Sequence, residues 1–483
     1  MRVPAGIVRT KGCVSRRDLF EIVCGAAVFS LAGADAAQAD SGSYPPPLSR
    51  LFEARLPSLT ASLEKAYSFL DVMMDAYAQG STLRLIQSYS DQQGLESTAF
   101  TYDNAVSIHA LLVRGTSDDI TRAEVLGNTL LYAQQNDSFH DGRVRQAYFV
   151  HAADARGAYV QPAGAPFSFH GSSTGDMAWA GMALAQLYRR TKDGNYLSGA
   201  IDLGNWILNH TCDTRGAGGY NGGVDGDNVP LSYKATEHNI DTYAFFRMLA
   251  TLTGNRAWTT RAQHALSLLS AMWNSAAGFF WTGTGSDGAT INTSNIPADV
   301  QTWSYLALLD GAYASALDWA KTNLATIDSP QSVNSKLPAG LRLQGLTFAS
   351  ESLHLQTPSA SYDQPPDRDA VWLEGTAHAA AAFLLRGLSS QPDSISFHDD
   401  SATALLLLDS IRLAQSKLGA DQTIAGGPIA AGGGIVSSSS VCNTGFGSSY
   451  YPNLHIGATA WYLIAGQAAD PFRLGYHPTE SSF

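Results

Sequence analysis

The 483-residue sequence predicts an all-α fold, a closed double ring of six helical hairpins. Two observations lead to this prediction. Apolar residues recur at spacings of three and four along most of the chain, whereas the strict alternation of a strand is rare. The helical segments also come in two kinds that take turns, one amphipathic and one apolar nearly all round. This alternation is typical of an outer and an inner layer of helices.

The outer kind of helix is represented by "ITRAEVLGNTLLYA", in which Ala123, Leu126 and Leu130 share one face. The inner kind is represented by "AVSIHALLV", "AAAAFLL" and "TAWYLIAG", which are apolar on every side and must be buried. Outer helices are predicted from about residues 59, 120, 196, 258, 313 and 401, and inner helices from about 102, 176, 237, 299, 374 and 455. Six such pairs close naturally into a ring.

A solenoid of helix pairs is the alternative architecture. Solenoid repeats are usually shorter, roughly 34 to 47 residues, and their inner face is polar. Here the repeat runs roughly 60 to 80 residues and the inner helices are too apolar to line an open groove. We therefore expect one domain over residues 56–483, preceded by an extended Pro- and Ser-rich lead-in at 40–55.

Residues 1–39 have the features of an export signal. Basic residues end in the pair Arg16 and Arg17, a modest apolar run covers 22–31, and "AQA" at 37–39 is a small-residue cleavage site. The pair in "SRRDLF" resembles a twin-arginine signal, which a receptor reads and which is not an anchor. An uncleaved anchor is the alternative. No later apolar run is long enough to span a bilayer, so a periplasmic or secreted protein without a stable membrane anchor is expected.

The cysteines leave one disulfide possible. Cys13 and Cys24 lie in the signal, so Cys212 and Cys442 remain in the mature chain. An oxidising compartment would allow them to pair, but sequence spacing does not decide between a disulfide and two free thiols. Neither cysteine belongs to a zinc motif. No metal or cofactor is expected.

The charge balance bears on the partner. The net charge is −12, from 30 Lys and Arg against 42 Asp and Glu, which argues against nucleic acid and polyanions. Nine Trp and twenty Tyr supply flat apolar faces with polar tips, which suit sugar stacking as well as an ordinary core. A neutral partner is therefore favoured, and the protein is expected to be a monomer.

Polar and acidic residues gather at the start of every inner helix. The segments are "TYDNA", "STGDMAW", "TEHNID", "PADVQTW", "VWLEGTA" and "YPNLHIG". Inner helices of a closed ring run parallel, so the six starts would meet at one mouth. Carboxylates that are costly inside a protein would then surround one cavity, where helix N-termini also favour negative charge.

Three residues are expected to carry the chemistry, namely Glu237, Asp241 and Glu374. Glu237 and Asp241 stand four residues apart on one helix face, where like charges repel, so a functional reason is favoured. Glu374 precedes Gly375, which would let a ligand approach the backbone. Ordinary helix capping is the alternative for the other acids, Asp103, Asp176 and Asp299.

Aromatic residues and histidines lie within two turns of the same helix starts. The residues expected to bind substrate are Tyr102, Asp103, Asp176, Trp179, His238, Tyr243, Asp299, Trp303, Trp372 and His455. Core packing is the alternative for the aromatic residues, and a structural hydrogen bond is the alternative for the histidines.

Two long glycine-rich loops, residues 213–230 and 425–440, precede inner helices and are expected to cover the mouth as lids or binding loops. The "DGD" at 225–227 lacks the spacing of an EF-hand, so calcium is not expected. The sequence has no GxSxG, HExxH or phosphate-loop motif.

The motifs "YDNA", "GDMAW", "EHNIDTYAFF" and "VWLEGTA", placed at inner-helix starts of six alternating hairpins, resemble the six-hairpin glycosidase superfamily with its (α/α)6 toroid. The resemblance covers nearly the whole mature chain and points to no individual glycoside hydrolase family. It implies carbohydrate hydrolysis by acidic residues at the mouth, mostly with inversion. The superfamily also includes uronate lyases and phosphorolytic enzymes, so fold alone does not define the reaction.

Glycoside hydrolysis needs one carboxylic acid to protonate the leaving oxygen and one carboxylate to activate water or to attack the sugar. We expect Glu237 to be the general acid and Glu374 the general base. Asp103, Asp176 and Asp241 would hold sugar hydroxyls or raise the pKa of the acid.

Two other functions stay open at this stage. One is a polysaccharide lyase or unsaturated-uronyl hydrolase on acidic glycans, which needs cations at the mouth, where Lys234 and Arg368 are the nearest in sequence. The other is a non-catalytic sugar-binding protein, which would need no paired titratable acids.

Overall fold

Twelve α-helices dominate the described part of the chain. A computed structural model describes residues 48–92, 94–150, 171–359, 364–389 and 395–476, with backbone only at 48–57 and 395–397. The predicted signal sequence lies outside these ranges. The outer helices are α1 (Leu48–Asp75), α3 (Ser117–Asn136), α5 (Gly194–Thr211), α7 (Arg256–Met272), α9 (Ser315–Asn323) and α11 (Ile395–Lys417).

The inner helices form a closed ring. They are α2 (Thr101–Arg114), α4 (Thr174–Thr191), α6 (Thr236–Thr253), α8 (Ala298–Leu308), α10 (Leu373–Ser389) and α12 (Ile456–Gly466). Each packs against the next, and α12 packs against α2. The predicted (α/α)6 toroid is therefore confirmed, and every inner helix begins within two residues of its predicted start. The lead-in predicted for 40–55 is wrong from Leu48 onward, because α1 already begins there.

Local sequence explains where these helices begin and end. The Thr116 hydroxyl and the Asp119 carboxylate form a capping box at the start of α3. The Ser173 hydroxyl accepts a hydrogen bond from the Asp176 N–H at the start of α4. Gly254, at φ +66°, ends α6 in the left-handed conformation that glycine adopts without steric cost.

Short antiparallel strands occupy the connections. They are β1 (Thr98–Phe100), β2 (Ala147–Phe149), β3 (Ser172–Ser173), β4 (Gly223–Val224), β5 (Pro230–Leu231), β6 (Trp273–Asn274), β7 (Phe279–Phe280), β8 (Gly283–Thr284), β9 (Ile291–Asn292), β10 (Ala325–Asp328), β11 (Leu343–Leu346), β12 (Thr423–Ile424), β13 (Gly427–Pro428), β14 (Ile435–Val436), β15 (Cys442–Asn443), β16 (Ser449–Tyr450) and β17 (Leu454–His455). One sheet has the order β3-β4-β5, and the other pairs are β1-β2, β6-β7, β8-β9, β10-β11, β12-β13, β14-β17 and β15-β16.

The glycine-rich loop at 425–440, predicted to be a lid or a binding loop, is packed into the protein along its second half. Its second half is buried, and the hydroxyl groups of Ser439 and Ser440 donate hydrogen bonds to the buried Asp328 carboxylate at 2.6 and 2.7 Å. Ser438 also pairs with Trp372, immediately before α10. This half of the loop is a packed wall beside the mouth.

The segment after α12 folds back and closes the opposite end of the ring. The side-chain amide of Gln186, near the end of α4, donates to the Arg473 carbonyl at 2.6 Å. The Phe472 ring packs at 5.2 Å from Trp179 and 5.7 Å from Trp303, between inner helices. This segment therefore plugs the ring at the end away from the helix N-termini.

Cys212 and Cys442 are both free, the first exposed and the second buried, so no disulfide joins them. Among the helices described, none is long and apolar enough to cross a bilayer.

Close packing of α4 against α6 depends on Gly181, where an added Cβ would lie 2.2 Å from the Phe245 ring. We expect Gly181→Ala to lower the free energy of unfolding by about 1–3 kcal/mol, because the buried ring must move. Urea unfolding measures this change. The control is Gly194→Ala at the start of α5, where nothing lies within 4 Å of the new Cβ. This control should be neutral or stabilising by up to about 1 kcal/mol. Equal stability of the two variants would contradict the packing described.

Candidate active site

The mouth of the toroid brings the N-terminal ends of different inner helices together. The Tyr102 hydroxyl of α2 donates to Glu374 Oε1 of α10 at 2.6 Å. The Nε2 atom of His455, just before α12, lies 3.1 Å from the Oδ2 atom of Asp103 on α2. The charge of Glu374 in turn raises the pKa of Glu237 on α6. Residues more than 250 positions apart in the sequence are thus in direct contact at the mouth.

Glu374 is the carboxylate held most firmly in the ionised form. It is 2 % exposed, and burial by itself would raise its pKa. His378 Nε2 at 3.6 Å, His455 Nδ1 at 3.5 Å and the Tyr102 hydroxyl outweigh burial and lower the pKa of Glu374 below its ordinary value. Trp461 in turn donates its indole N–H to the Tyr102 hydroxyl at 2.8 Å, which orients that hydroxyl toward Glu374.

His455 is fixed on both sides of its ring. The Ala458 N–H lies 3.2 Å from Nδ1, and Nε2 lies 3.1 Å from Asp103 Oδ2. The ring stacks on Tyr89 at 4.2 Å between centroids. Burial lowers the pKa of His455, but Asp103 and Glu374 outweigh it, so the pKa is raised overall.

Glu237 is in the opposite state to Glu374. Its side chain is partly exposed at the mouth, yet burial of the carboxyl and then the charge of Glu374 raise its pKa to about 7. A substantial fraction of Glu237 is therefore protonated near neutral pH. One pocket thus holds a carboxylic acid and a carboxylate.

The other acids of the mouth are also driven toward the neutral form. Burial raises the pKa of Asp176 to about 7, although the Ser173 hydroxyl opposes the shift. Burial and the charge of Glu237 raise the pKa of Asp241 and Asp299 well above their ordinary values. Asp241 is fully buried, and neither of its carboxyl oxygens has a hydrogen-bond partner among the described residues.

Capping explains part of the role of Asp176 only. The Ser173 hydroxyl, which caps α4, donates to Asp176 Oδ2 at 2.6 Å. Asp299 lies inside the first turn of α8, where its Oδ1 accepts from the N–H of the next residue, Val300, at 2.6 Å. The charge of Glu237 contributes to the raised pKa of both acids, so both belong to the charge network of the mouth.

His238 is neutral and lies against α4. Burial lowers its pKa to about 4. A Cβ at Gly175 would lie 2.7 Å from His238 Cδ2 and 3.5 Å from Asp241 Oδ2. The missing side chain at Gly175 therefore gives room to the imidazole and to the carboxyl behind it.

Three of the predicted binding aromatics form the lining of the pocket in different ways. Trp179 and Trp303 pack against each other at 5.2 Å, with Phe472 beneath, and form its floor. Trp372 lies immediately before α10 and stacks on Tyr450 at 5.6 Å.

One prediction about an individual residue is wrong. Gly375 does not leave room for a ligand, because the Trp372 ring occupies the space beside it, with Cε3 at 2.0 Å from the position of an added Cβ. Tyr243 lies in the second turn of α6 and is half-buried. Its place in substrate binding stays a prediction.

Sequence reasoning missed His378 and Tyr89. His378 follows Glu374 by four residues in "EGTAH", a spacing that puts both on one helix face and could have revealed it. Tyr89 lies in a connection between helices and pairs with His455 through an isolated bridge, a contact for which the sequence contains no periodic signal. The described residues contain no cluster of three or more His, Cys, Asp or Glu suited to a metal ion.

The ring of six hairpins, with its acids and histidines at one mouth, has the fold of the six-hairpin, (α/α)6-toroid glycosidase superfamily. No protein-family model and no curated protein matches the sequence. Similar solved structures include a cellobiose 2-epimerase from Spirochaeta thermophila, at 14 % identity and TM-score 0.57 over 88 % of this chain and 98 % of that one.

A D-mannose isomerase is similar at 13 % identity and TM-score 0.55, over 88 % of this chain and 98 % of that one. A glycoside hydrolase family 76 mannosidase from Bacteroides thetaiotaomicron is similar at 12 % identity and TM-score 0.51, over 84 % and 97 %. At these identities the similarity establishes the fold alone.

The raised pKa of Glu237 has a consequence for stability. Folded Glu237 keeps its proton up to about pH 7, whereas the unfolded chain loses it near the ordinary value of 4.5. Because the folded state binds more protons in this window, stability falls as pH rises from about 4.5 to 7. We expect Glu237→Gln to be more stable than the wild type at pH 8, by about 1–3 kcal/mol. At pH 4 this difference should be small.

Urea unfolding at the two pH values measures this difference. The exposed Asp227 provides the matched control, since Asp227→Asn should change stability little at either pH. A Glu237→Gln variant that is no more stable than the wild type at pH 8 would show that Glu237 folds in its ionised form.

Proposed function

We propose that the chain is an exported glycoside hydrolase that cleaves a neutral poly- or oligosaccharide, with Glu237 as general acid and Glu374 as general base. One observation carries this proposal. The pKa of Glu237 is raised to about 7 while that of Glu374 is lowered, and the two carboxyls share one electrostatic pocket. Such opposed shifts are what acid/base catalysis by two carboxyl groups requires near neutral pH.

In the proposed reaction, Glu237 donates its proton to the glycosidic oxygen as the bond from that oxygen to the anomeric carbon breaks. Glu374 removes a proton from a water molecule whose oxygen bonds to the anomeric carbon. One water is consumed, and each carboxyl returns to its starting state when the proton gained by Glu374 is passed back through solvent to Glu237. The superfamily resemblance favours inversion at the anomeric carbon, which proton NMR of the first product would report.

Asp241 would act beside this pair. It lies one helical turn beyond Glu237, and burial keeps it neutral, so it would support Glu237 without adding a second full charge. Asp103 and His455 would hold the Glu374 side of the pocket, through the contacts that His455 makes with both carboxylates.

The charges of the pocket favour a neutral substrate. The main influences on the pKa of Glu237, Asp241, Asp299 and Glu374 include histidines and other acids but no Lys or Arg. Of the residues that the structure describes, those with the largest influence on these four acids would therefore present carboxylates, and not a cation, to a uronate. This argues against the lyase and against hydrolysis of unsaturated uronides.

A sugar isomerase or epimerase is the second candidate. His378 and His455 both lie within 3.6 Å of Glu374, and histidines of this kind can move a proton at a carbon atom. Two of the similar structures are a D-mannose isomerase and a cellobiose 2-epimerase. A screen of the purified chain on neutral glycans separates the two functions. A hydrolase creates new reducing ends, whereas an isomerase changes a reducing sugar without creating any.

Removing either carboxyl should abolish turnover. We expect Glu237→Gln and Glu374→Gln each to lower kcat by about 10²–10⁴-fold on the glycan identified in that screen, because each removes one proton-transfer group. Asp227→Asn serves again as the surface control. Wild-type turnover by Glu237→Gln would rule out this residue as the acid.

The pH profile should be bell-shaped. Activity falls at low pH as Glu374 gains a proton, and it falls above about pH 7 as Glu237 loses one. Tyr102→Phe removes the hydrogen bond that helps to lower the pKa of Glu374. We expect the acidic limb to move to higher pH in this variant while the alkaline limb stays near pH 7. If the alkaline limb moved instead, Tyr102 would act on the pKa of Glu237 and not on that of Glu374, which would contradict this assignment.

A further inference from the structure

Four aromatic side chains pack in a continuous strip beside the mouth. Trp372 is buried and forms the base of the strip, Phe348 and Tyr450 are half-buried, and Phe446 is exposed. Trp372 and Tyr450 stack at 5.6 Å with planes 27° apart. The Phe348 ring lies 4.7 Å from Trp372 and 5.7 Å from Tyr450. Phe446 continues the series at 6.2 Å from Phe348. We call these four residues the aromatic strip.

The inner end of the strip adjoins the candidate active site. Trp372 lies two residues before Glu374, and the Phe348 carbonyl accepts a hydrogen bond from the Ala298 N–H at the start of α8. Burial, and then charges that include Glu374, raises the pKa of Tyr450. The strip therefore begins between the starts of α8 and α10, beside the acids.

The outer end is exposed and rigidly built. Phe446 is 48 % exposed at the tip of the hairpin formed by β15 and β16. Its N–H donates to the Thr444 hydroxyl at 3.1 Å, and the Thr444 carbonyl accepts from the Asn295 side chain at 3.0 Å. Gly445 has φ +75°, and a Cβ there would lie 2.6 Å from Asn295 Nδ2. The hairpin is thus fastened to the loop before α8 and holds the ring away from the core.

A single exposed aromatic residue needs no explanation, but a connected row of four that starts at a carboxyl pocket does. Sugar rings present flat C–H faces that pack on aromatic side chains, and their hydroxyl groups face water. A strip without charged members suits such a ligand and gives no attraction to an ionic one.

We propose that the aromatic strip is a stacking subsite for the sugar units of a glycan that lie beyond the unit held at Glu237 and Glu374. The ligand is a neutral oligosaccharide of several units, because a monosaccharide seated at the acids would not reach Phe446. This inference rests on the carbohydrate substrate of the proposed function. It extends that function by making chain length a determinant of affinity.

Glycan binding by a slow variant tests the strip separately from catalysis. The full chain carrying Glu237→Gln would be applied to immobilised β-1,4-glucan, β-1,3-glucan and α-1,6-mannan fragments of two to six units. Adding Phe446→Ala should weaken binding of fragments of four or more units about five- to tenfold, and leave disaccharide binding unchanged. Phe446→Trp should retain the binding of long fragments.

Leu406→Ala is the matched control, because Leu406 is also 48 % exposed but lies on the outer helix α11. It should leave binding unchanged at every length. Binding that is independent of chain length, an unchanged affinity of the Phe446→Ala variant for long fragments, or no glycan binding would each overturn the strip. Length-dependent binding without release of reducing ends by the wild type would support the stacking subsite and rule out the hydrolase. Release of reducing ends with binding that does not depend on length would support the hydrolase and rule out the stacking subsite.

Discussion

The structure depends on how six carboxyl groups are accommodated at one end of a ring of apolar helices. Burial penalises the charge on these groups, and the nearest compensation comes from helix N-termini, hydroxyl groups and histidines. Glu374 is the member whose charge is best supported, by His378, His455 and Tyr102. Burial, and then that charge, raise the pKa of Glu237. The acid and the base of the proposed reaction therefore both depend on burial and on how the charge of Glu374 is supported.

The scaffold makes this arrangement possible through two unrelated kinds of packing. Small residues such as Gly175 and Gly181 let α4 and α6 approach closely enough for His238 and Phe245 to fit between them. Indole rings and Phe472 fill the space inside the helices below the acids. The pocket therefore has an apolar floor, and the low polarity of that floor strengthens each electrostatic interaction above it.

Much of the fold could be predicted from the sequence, because an inner helix must be apolar on every side and an outer helix on one side only. The convergence of the helix starts followed from parallel inner helices, and it correctly grouped Glu237, Glu374 and His455. Details set by side-chain direction could not be predicted. Gly375 accommodates the Trp372 ring and not a ligand, because the side-chain rotamer of Trp372 decides which group fills that space. The role of Tyr89 depends on a loop that brings it to His455.

Closure of the ring joins the first inner helix to the last. Asp103 and His455 meet across 352 residues of sequence, and the plug containing Phe472 follows the last inner helix. The mouth and its floor therefore cannot be completed on the ribosome until the last inner helix and the plug have been made. Contacts between residues so far apart in sequence slow folding. The same topology that assembles distant acids in one pocket thus delays the completion of that pocket.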